Sequence, residues 1–182
     1  MKKVIALLLA AVLVLALAGC GAAKEPEKEP EADEPFTGMA NPWSEVKTAA
    51  EAGKGAGVGE FQLPEGVVLN VGPLAFTEFR WMDGLAHADG SAGAATISVR
   101  KGLTAKIGED VSGDYTEYAE TWTQDVDGQT VTCKGNVEDQ AMDVLWSAGD
   151  YSYCIYVRGQ GDDDATFGLG GEDVAALVAA IG

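Results

Sequence analysis

Apolar positions along this chain fall into three regimes. Val4 to Ala18 is one unbroken apolar run, Ala22 to Pro35 holds no large apolar residue, and from Asn41 onward apolar positions recur with the periods of folded structure. Within that last region, Thr48-Ala49-Ala50-Glu51 forms a capping box, in which the threonine oxygen and the glutamate each satisfy an orphan amide. It predicts a helix from about Ala49 to Gly55 or Gly57, where glycines stop it. Val67 to Val71 and Phe76 to Met82 are rich in β-branched and aromatic residues, with Gly72-Pro73 between them. Ala94 to Lys101 alternates Ala95, Ile97 and Val99 against Thr96, Ser98 and Arg100, as a half-buried strand does. Asp127-Gly128 is a preferred two-residue turn. It predicts a hairpin from about Tyr118 to Lys134 with Val126 opposite Gln129, Gln124 opposite Val131 and Trp122 opposite Cys133. A second hairpin, Ala141 to Trp146 with Tyr151 to Arg158, closes across "SAGD" and sets Trp146 opposite Tyr151. Glu172 to Ile181 reads as a helix with Val174, Leu177, Val178 and Ile181 on one face.

Helix, about seven strands, helix, with connections this short, predicts an α+β domain. The expected architecture is a single curved, mostly antiparallel sheet with the N-terminal and C-terminal helices on one face. Residues 41–182 make up this globular domain, of a size that one core can support. The "GKGAGVG" run lacks phosphate-loop spacing and follows a helix instead of a strand, so it reads as a helix end.

Charge narrows the partners. The chain carries a formal −17, and from Phe36 onward it holds eight basic and twenty-three acidic residues. Such a surface repels phosphate backbones and anionic lipid head groups, so neither nucleic acid nor an electrostatic grip on a membrane is expected.

The first forty residues have their own logic. Lys2 and Lys3 precede a 15-residue apolar run too short for a bilayer span, which fits a secretory signal over residues 1–19. Leu17-Ala18-Gly19-Cys20 resembles the bacterial lipobox. That resemblance implies cleavage before Cys20, a diacylglyceryl group on its sulfur and a further acyl chain on its new amino group. More than one chain is what firm anchoring needs. Residues 20–40 then form an acidic, proline-rich tether, extended at roughly 3 Å per residue and reaching on the order of 50 Å. Membrane attachment through Cys20, outside the cytoplasm, is the expected location.

Candidate chemistry in the domain is sparse. There is no GxSxG, CxxC, Walker or HExxH pattern, and His87 is the only histidine. With Asp83 and Asp89 it offers a weak metal set, although "MDGLAHADG" reads as a hairpin loop. Asp162, Asp164 and Asp173 are weak calcium candidates; an EF-hand register fails because Phe167 stands at the glycine position and Asp173 where glutamate is expected. No cofactor is expected. Cys133 and Cys154 fall on opposite faces, two strands or about 9 to 10 Å apart, which favours two free thiols over a disulfide. Trp122 and Trp146 occupy core-facing positions. Trp43, Trp81, Tyr115 and Tyr118 are less committed and are the first candidates for a ligand surface.

"NPWSEVKTAAEAGKGAGVGEFQLPEG", "ATISVRKG", "EDVSGDYTEY", "VDGQTVTCKG" and "VLWSAGDYSYCIYV" together resemble an uncharacterised domain of anaerobic gut bacteria. It recurs in lipoproteins and near membrane-bound anti-sigma-type proteins. The resemblance spans most of residues 41–182, departs at the acidic "GQGDDDATFG", and carries no catalytic residues. It implies the antiparallel sheet with flanking helices and a place outside the membrane. A fold analogy to the lipoprotein-carrier half-barrel adds a lipid-like ligand to the possibilities. The leading expectation is a non-enzymatic, membrane-anchored module that binds a protein or small molecule. A sensor acting through a transmembrane partner and a carboxylate-dependent glycan hydrolase are the alternatives.

Overall fold

The computed structural model describes residues 41–159 and 167–181. The signal and tether residues, Cys20 among them, and Asp162 and Asp164 of the acidic loop lie outside these. The described residues form nine strands, two more than the sequence pattern predicts: β1 (Ser44–Val46), β2 (Val68–Leu69), β3 (Gly72–Met82), β4 (Leu85–Ala92), β5 (Ala95–Leu103), β6 (Glu120–Val126), β7 (Gln129–Gly135), β8 (Asp143–Ala148) and β9 (Tyr151–Gly159). Three helices accompany them, α1 (Ala49–Ala56), the single turn α2 (Thr104–Ile107) and α3 (Gly171–Ala180). Every strand pair is antiparallel, in the order β1-β3-β4-β5-β9-β8-β7-β6 with β2 also on β3. The α+β expectation holds.

Both longer helices cover the same face of the sheet. Ala52 and Ala56 of α1, and Val174, Leu177 and Val178 of α3 with Ile181 beyond it, join one core with Ala86, Ala88, Ile97, Val99, Val131, Val144, Trp146 and Ile155. The threonine half of the capping box forms as read, with the Glu51 N–H donating to Thr48 Oγ1 at 3.2 Å, while the Glu51 carboxylate accepts from Lys47 N at 2.9 Å, one residue ahead of the cap. Gly57 closes the helix in the left-handed region. Helix α1 is built from alanine and glycine because it lies tight on the sheet. A Cβ on Gly55 would stand 2.4 Å from the Trp81 ring, so Trp81 belongs under this helix and not to an exposed surface.

Three readings need correction. The second hairpin turns at Gly149-Asp150, so Trp146 pairs with Tyr153 and Ala148 with Tyr151. This two-residue shift keeps every side chain on its expected face, because the strand period is two. Trp146 stacks on Tyr153, centroids 5.0 Å apart. Secondly, "LAHADGSA" is strand β4 and not a loop. Its inner positions Ala86, Ala88, Gly90 and Ala92 are small because α1 and β3 crowd that face, and small residues beside an Asp-Gly turn imitate loop composition. Thirdly, Val67 to Val71 yields only the two-residue β2, while β3 begins at Gly72 and carries Pro73 beside it on the sheet margin.

The cysteines behave as expected. Cys133 is buried in the helix-covered core and Cys154 in a small cluster on the opposite face, both as free thiols. Burial and the nearby Asp143 carboxylate push Cys133 up to about 11, and the same two causes, burial first, raise Cys154. Thiol-reactive dye should therefore label both only after denaturation; fast labelling of the native protein would contradict this packing. Gly55→Ala should destabilise the domain by about 1–2 kcal/mol despite alanine's better helix propensity, because the overpacking against Trp81 outweighs it. A raised melting temperature in that variant would refute the close approach.

Candidate functional site

Topology creates the site. Strand β5 lies beside β9, yet the next strand, β6, sits at the far margin beyond β8 and β7. The connecting residues 104–119 must therefore travel several strand widths, at about 4.8 Å each. They do so over the face that α1 and α3 leave uncovered: Val111 packs on Leu85 and Cys154 there, and Asp110 meets Lys134 of β7.

Two tight turns align the residues beneath this segment. Met82 pairs with Leu85 across Asp83-Gly84, and Ala92 with Ala95 across Gly93-Ala94. Counting back from each turn sets Arg80 opposite His87, His87 opposite Arg100, and Asp89 opposite Ser98; β9 then adds Cys154 beside Arg100, Tyr156 beside Ser98 and Arg158 beside Thr96. These positions share one face. With Ser112, Gly113 and Asp114 of the crossing segment, all of them but Asp89 and Cys154 line a pocket of about 240 Å³ that contains Arg80, Arg100 and Arg158. These are the chain's three arginines. In a protein of formal charge −17, all of them converge on one cavity.

His87 is 1% exposed and organises the centre. Its Nδ1 accepts the Arg100 Nε–H at 2.9 Å, and since that nitrogen is then unprotonated, the proton sits on Nε2. Nε2–H donates to Asp89 Oδ2 at 2.7 Å, which also accepts from Arg80 Nη2 at 3.0 Å; Arg80 Nη2 stands only 2.8 Å from His87 Nε2, and with Nε2 protonated both donors turn to that one carboxylate oxygen, while Ser98 Oγ donates to Asp89 Oδ1. Trp43 covers this row, its ring 5.1 Å from the Arg80 guanidinium carbon, 5.9 Å from that of Arg100 and 5.4 Å from the imidazole centroid. Burial, joined by the two guanidiniums, lowers the His87 pKa below 6.5 even though Asp89 pulls the other way. Burial works against the charged form of Asp89 too, but the hydrogen bonds from His87 and Ser98 and the Arg80 charge prevail and bring it to about 2.

The pocket wall is held from below. Arg100 Nη1 donates to the Val111 carbonyl at 3.1 Å and to the Ser112 carbonyl. Gly113 permits this, with φ of +61° and only 2.8 Å between a would-be Cβ and Arg100 Nη1. Asp114 turns the wall outward, accepting from Thr116 N at 3.0 Å, Thr116 Oγ1 at 2.7 Å and the Tyr118 hydroxyl. Behind the wall, buried Asp143 accepts from Cys154 Sγ at 3.2 Å and from Lys134 Nζ at 3.3 Å.

The sequence-derived candidates scatter. Trp43 lies against the Arg80–His87–Arg100 row and not in the pocket lining, Tyr118 supports the wall through Asp114, and Tyr115 is 96% exposed on the segment. Trp81 is on the other face. Asp83 pairs with Lys106 and not with His87, and among the described residues no cluster fit to hold a metal occurs. Asp173 is buried and accepts the Asn70 N–H at 3.2 Å. The arginines were missed because no linear motif joins residues 80, 100 and 158; hairpin counting from Asp83-Gly84 and Gly93-Ala94 would have aligned the first two with His87.

A larger hollow of about 800 Å³ lies on the helix side between the start of α1, residues 61–66 and β3. Phe61, Leu63, Leu74, Phe76 and Phe79 line it, but its charged groups, Lys47 and Glu65, do not converge on a ligand atom. The β3 margin there carries a register shift between Phe76 and Glu78, a device that discourages added strands. Comparison with protein-family models, curated proteins and solved structures gave no match. Among the described residues no helix is long and apolar enough to cross a membrane.

The chain's single imidazole makes a direct check possible. Nuclear magnetic resonance titration should find it as the Nε2–H tautomer at pH 7 with a midpoint below 6.5; an Nδ1–H tautomer or a higher midpoint would break the assignment. Because the folded value lies below that of a free imidazole, the unfolded chain takes up the extra proton first. His87 thus supports stability above about pH 6.5 and withdraws that support as pH falls below it. The Asp89 contribution persists lower, present above the normal carboxylate range and lost as pH approaches 2.

Proposed function

We propose that this protein is a lipoprotein anchored outside the cytoplasm through Cys20, whose globular part is a non-enzymatic binding module with its ligand site at the arginine-lined pocket. The observation that carries the reading is the convergence of all three arginines on one 240 Å³ cavity within a strongly acidic chain. Burying and aligning guanidiniums costs free energy, and a site for an anion is the arrangement's best use.

Several features favour binding over turnover. The thiols are held protonated, and both His87 nitrogens are engaged. Asp89 and Asp114 lie below the ordinary carboxylate range, so neither holds a proton to donate at neutral pH, as a glycosidase acid must. The lipobox Leu17-Ala18-Gly19-Cys20 and the acidic, proline-rich composition of residues 20–40 support that location.

Two measurements test this. Cys20→Ser should lose acyl label and membrane association while leaving the domain folded; retained membrane association would remove the anchor. Thermal unfolding with small anions, divalent cations, neutral glycans and lipids should show a saturable rise only with anions, about 2.7 kcal/mol at a hundred times the dissociation constant. A response confined to another class would reject the pocket as the ligand site.

A further inference from the structure

The two margins of the sheet are built differently. One ends in β1, a strand of three residues, and the β3 edge beyond it is broken by the register shift between Phe76 and Glu78. Short edge strands and bulges keep further strands from pairing. The other margin is β6, seven residues in unbroken register with β7 and with no proline, glycine or lysine along it.

The turn decides which backbone groups this margin presents. Val126 and Gln129 flank the two-residue turn Asp127-Gly128, so they exchange both of their backbone hydrogen bonds, and the pattern alternates from there. Gln124, Trp122 and Glu120 therefore bond to β7, while the N–H and C=O groups of Thr121, Thr123 and Asp125 face outward. Among the described residues no backbone group bonds to those three, and all three residues are exposed.

The side chains define what an added strand must carry. Residues 117–127 hold Glu117, Glu120, Asp125 and Asp127 and no lysine or arginine. None of these four acids forms an ion pair among the described residues. A second copy of this chain would set the acidic margin against itself, in a domain with eight basic and twenty-three acidic residues from Phe36 onward. An extended basic segment meets opposite charge instead, which steers encounter and rejects acidic competitors. On the helix-covered side Trp122 is only partly buried, so an aliphatic side chain on the added strand finds apolar surface beside it.

We propose that β6 is a strand-addition site for a partner protein, which pairs an extended segment bearing lysine or arginine with the open edge. Main-chain bonds to Thr121, Thr123 and Asp125 supply affinity, and the acidic side chains with Trp122 select the sequence. The site is separate from the arginine pocket, whose lining contains no β6 residue.

The test uses the full chain in uncharged detergent and a fluorescent octapeptide of alternating lysine and valine, followed by anisotropy. Its glutamate–valine counterpart and a version methylated at every backbone amide are the comparisons. Thr123→Pro is the informative variant, because the Thr123 N–H faces outward and proline there spares the β6–β7 ladder while blocking the edge. Saturable binding of the lysine peptide, one per chain, is the expected result. Methylation or Thr123→Pro should weaken it about tenfold or more, and the glutamate peptide should not bind. If Thr123→Pro fails to fold, the methylated peptide makes the same comparison on the unaltered chain. Equal binding of the methylated peptide would reduce the contact to charge attraction and refute strand addition. Sedimentation showing self-association that Thr123→Pro abolishes, without peptide binding, would overturn the basic partner in favour of a second copy. A monomeric chain that binds no peptide refutes the site.

Discussion

One guanidinium holds the uncovered face together. Arg100 gives its Nε–H to His87 and its Nη1 to the Val111 and Ser112 carbonyls, joining the strand rows to the segment that crosses them. A half-buried charge is tolerable only when its donors are met and opposite charge is near. Asp89 and Asp143 supply that charge. The consequences run outward. Because Arg100 claims Nδ1, the imidazole must carry its proton on Nε2, which commits Asp89, which in turn positions Arg80. Removing Arg100 would unpin the wall and leave the imidazole without its donor.

The two faces of the sheet answer different demands. On one, α1 and α3 exclude water, and β4 contributes alanines because a helix of alanine and glycine comes close. On the other, a connection without an extended apolar stripe lies over the strands. It is held by turns and side-chain hydrogen bonds, with Leu85, Val111 and Cys154 as a small buried apolar patch against which Ile107, Leu145 and Met82 pack. A face covered in this way leaves gaps lined by polar strand residues. The pocket is such a gap, and its basic lining stands out because the rest of the surface is acidic.

Legibility followed how local each determinant is. Asp127-Gly128 forces a two-residue turn, so the β6–β7 register was readable to the residue. "SAGD" admits more than one turn placement, so that register was read two residues out, harmlessly for the faces. Strand β4 was lost because alanine, glycine and serine near an Asp-Gly turn imitate a loop, and what makes them a strand is pressure from α1, distant in sequence from β4. With β4 lost, His87 became a loop residue, and the row on which the site depends disappeared.

The sequence by itself determined the α+β class, the ends of α1 through Thr48 and glycine, and the faces occupied by the residues of the β6–β7 and β8–β9 hairpins. These follow from local chemistry and period. Only the tertiary structure decided that strand β9 inserts beside β5 and sends residues 104–119 across the open face. That placement brings Arg80, Arg100 and Arg158 to one cavity, since charges so far apart in sequence meet only when a nonlocal strand order makes them neighbours.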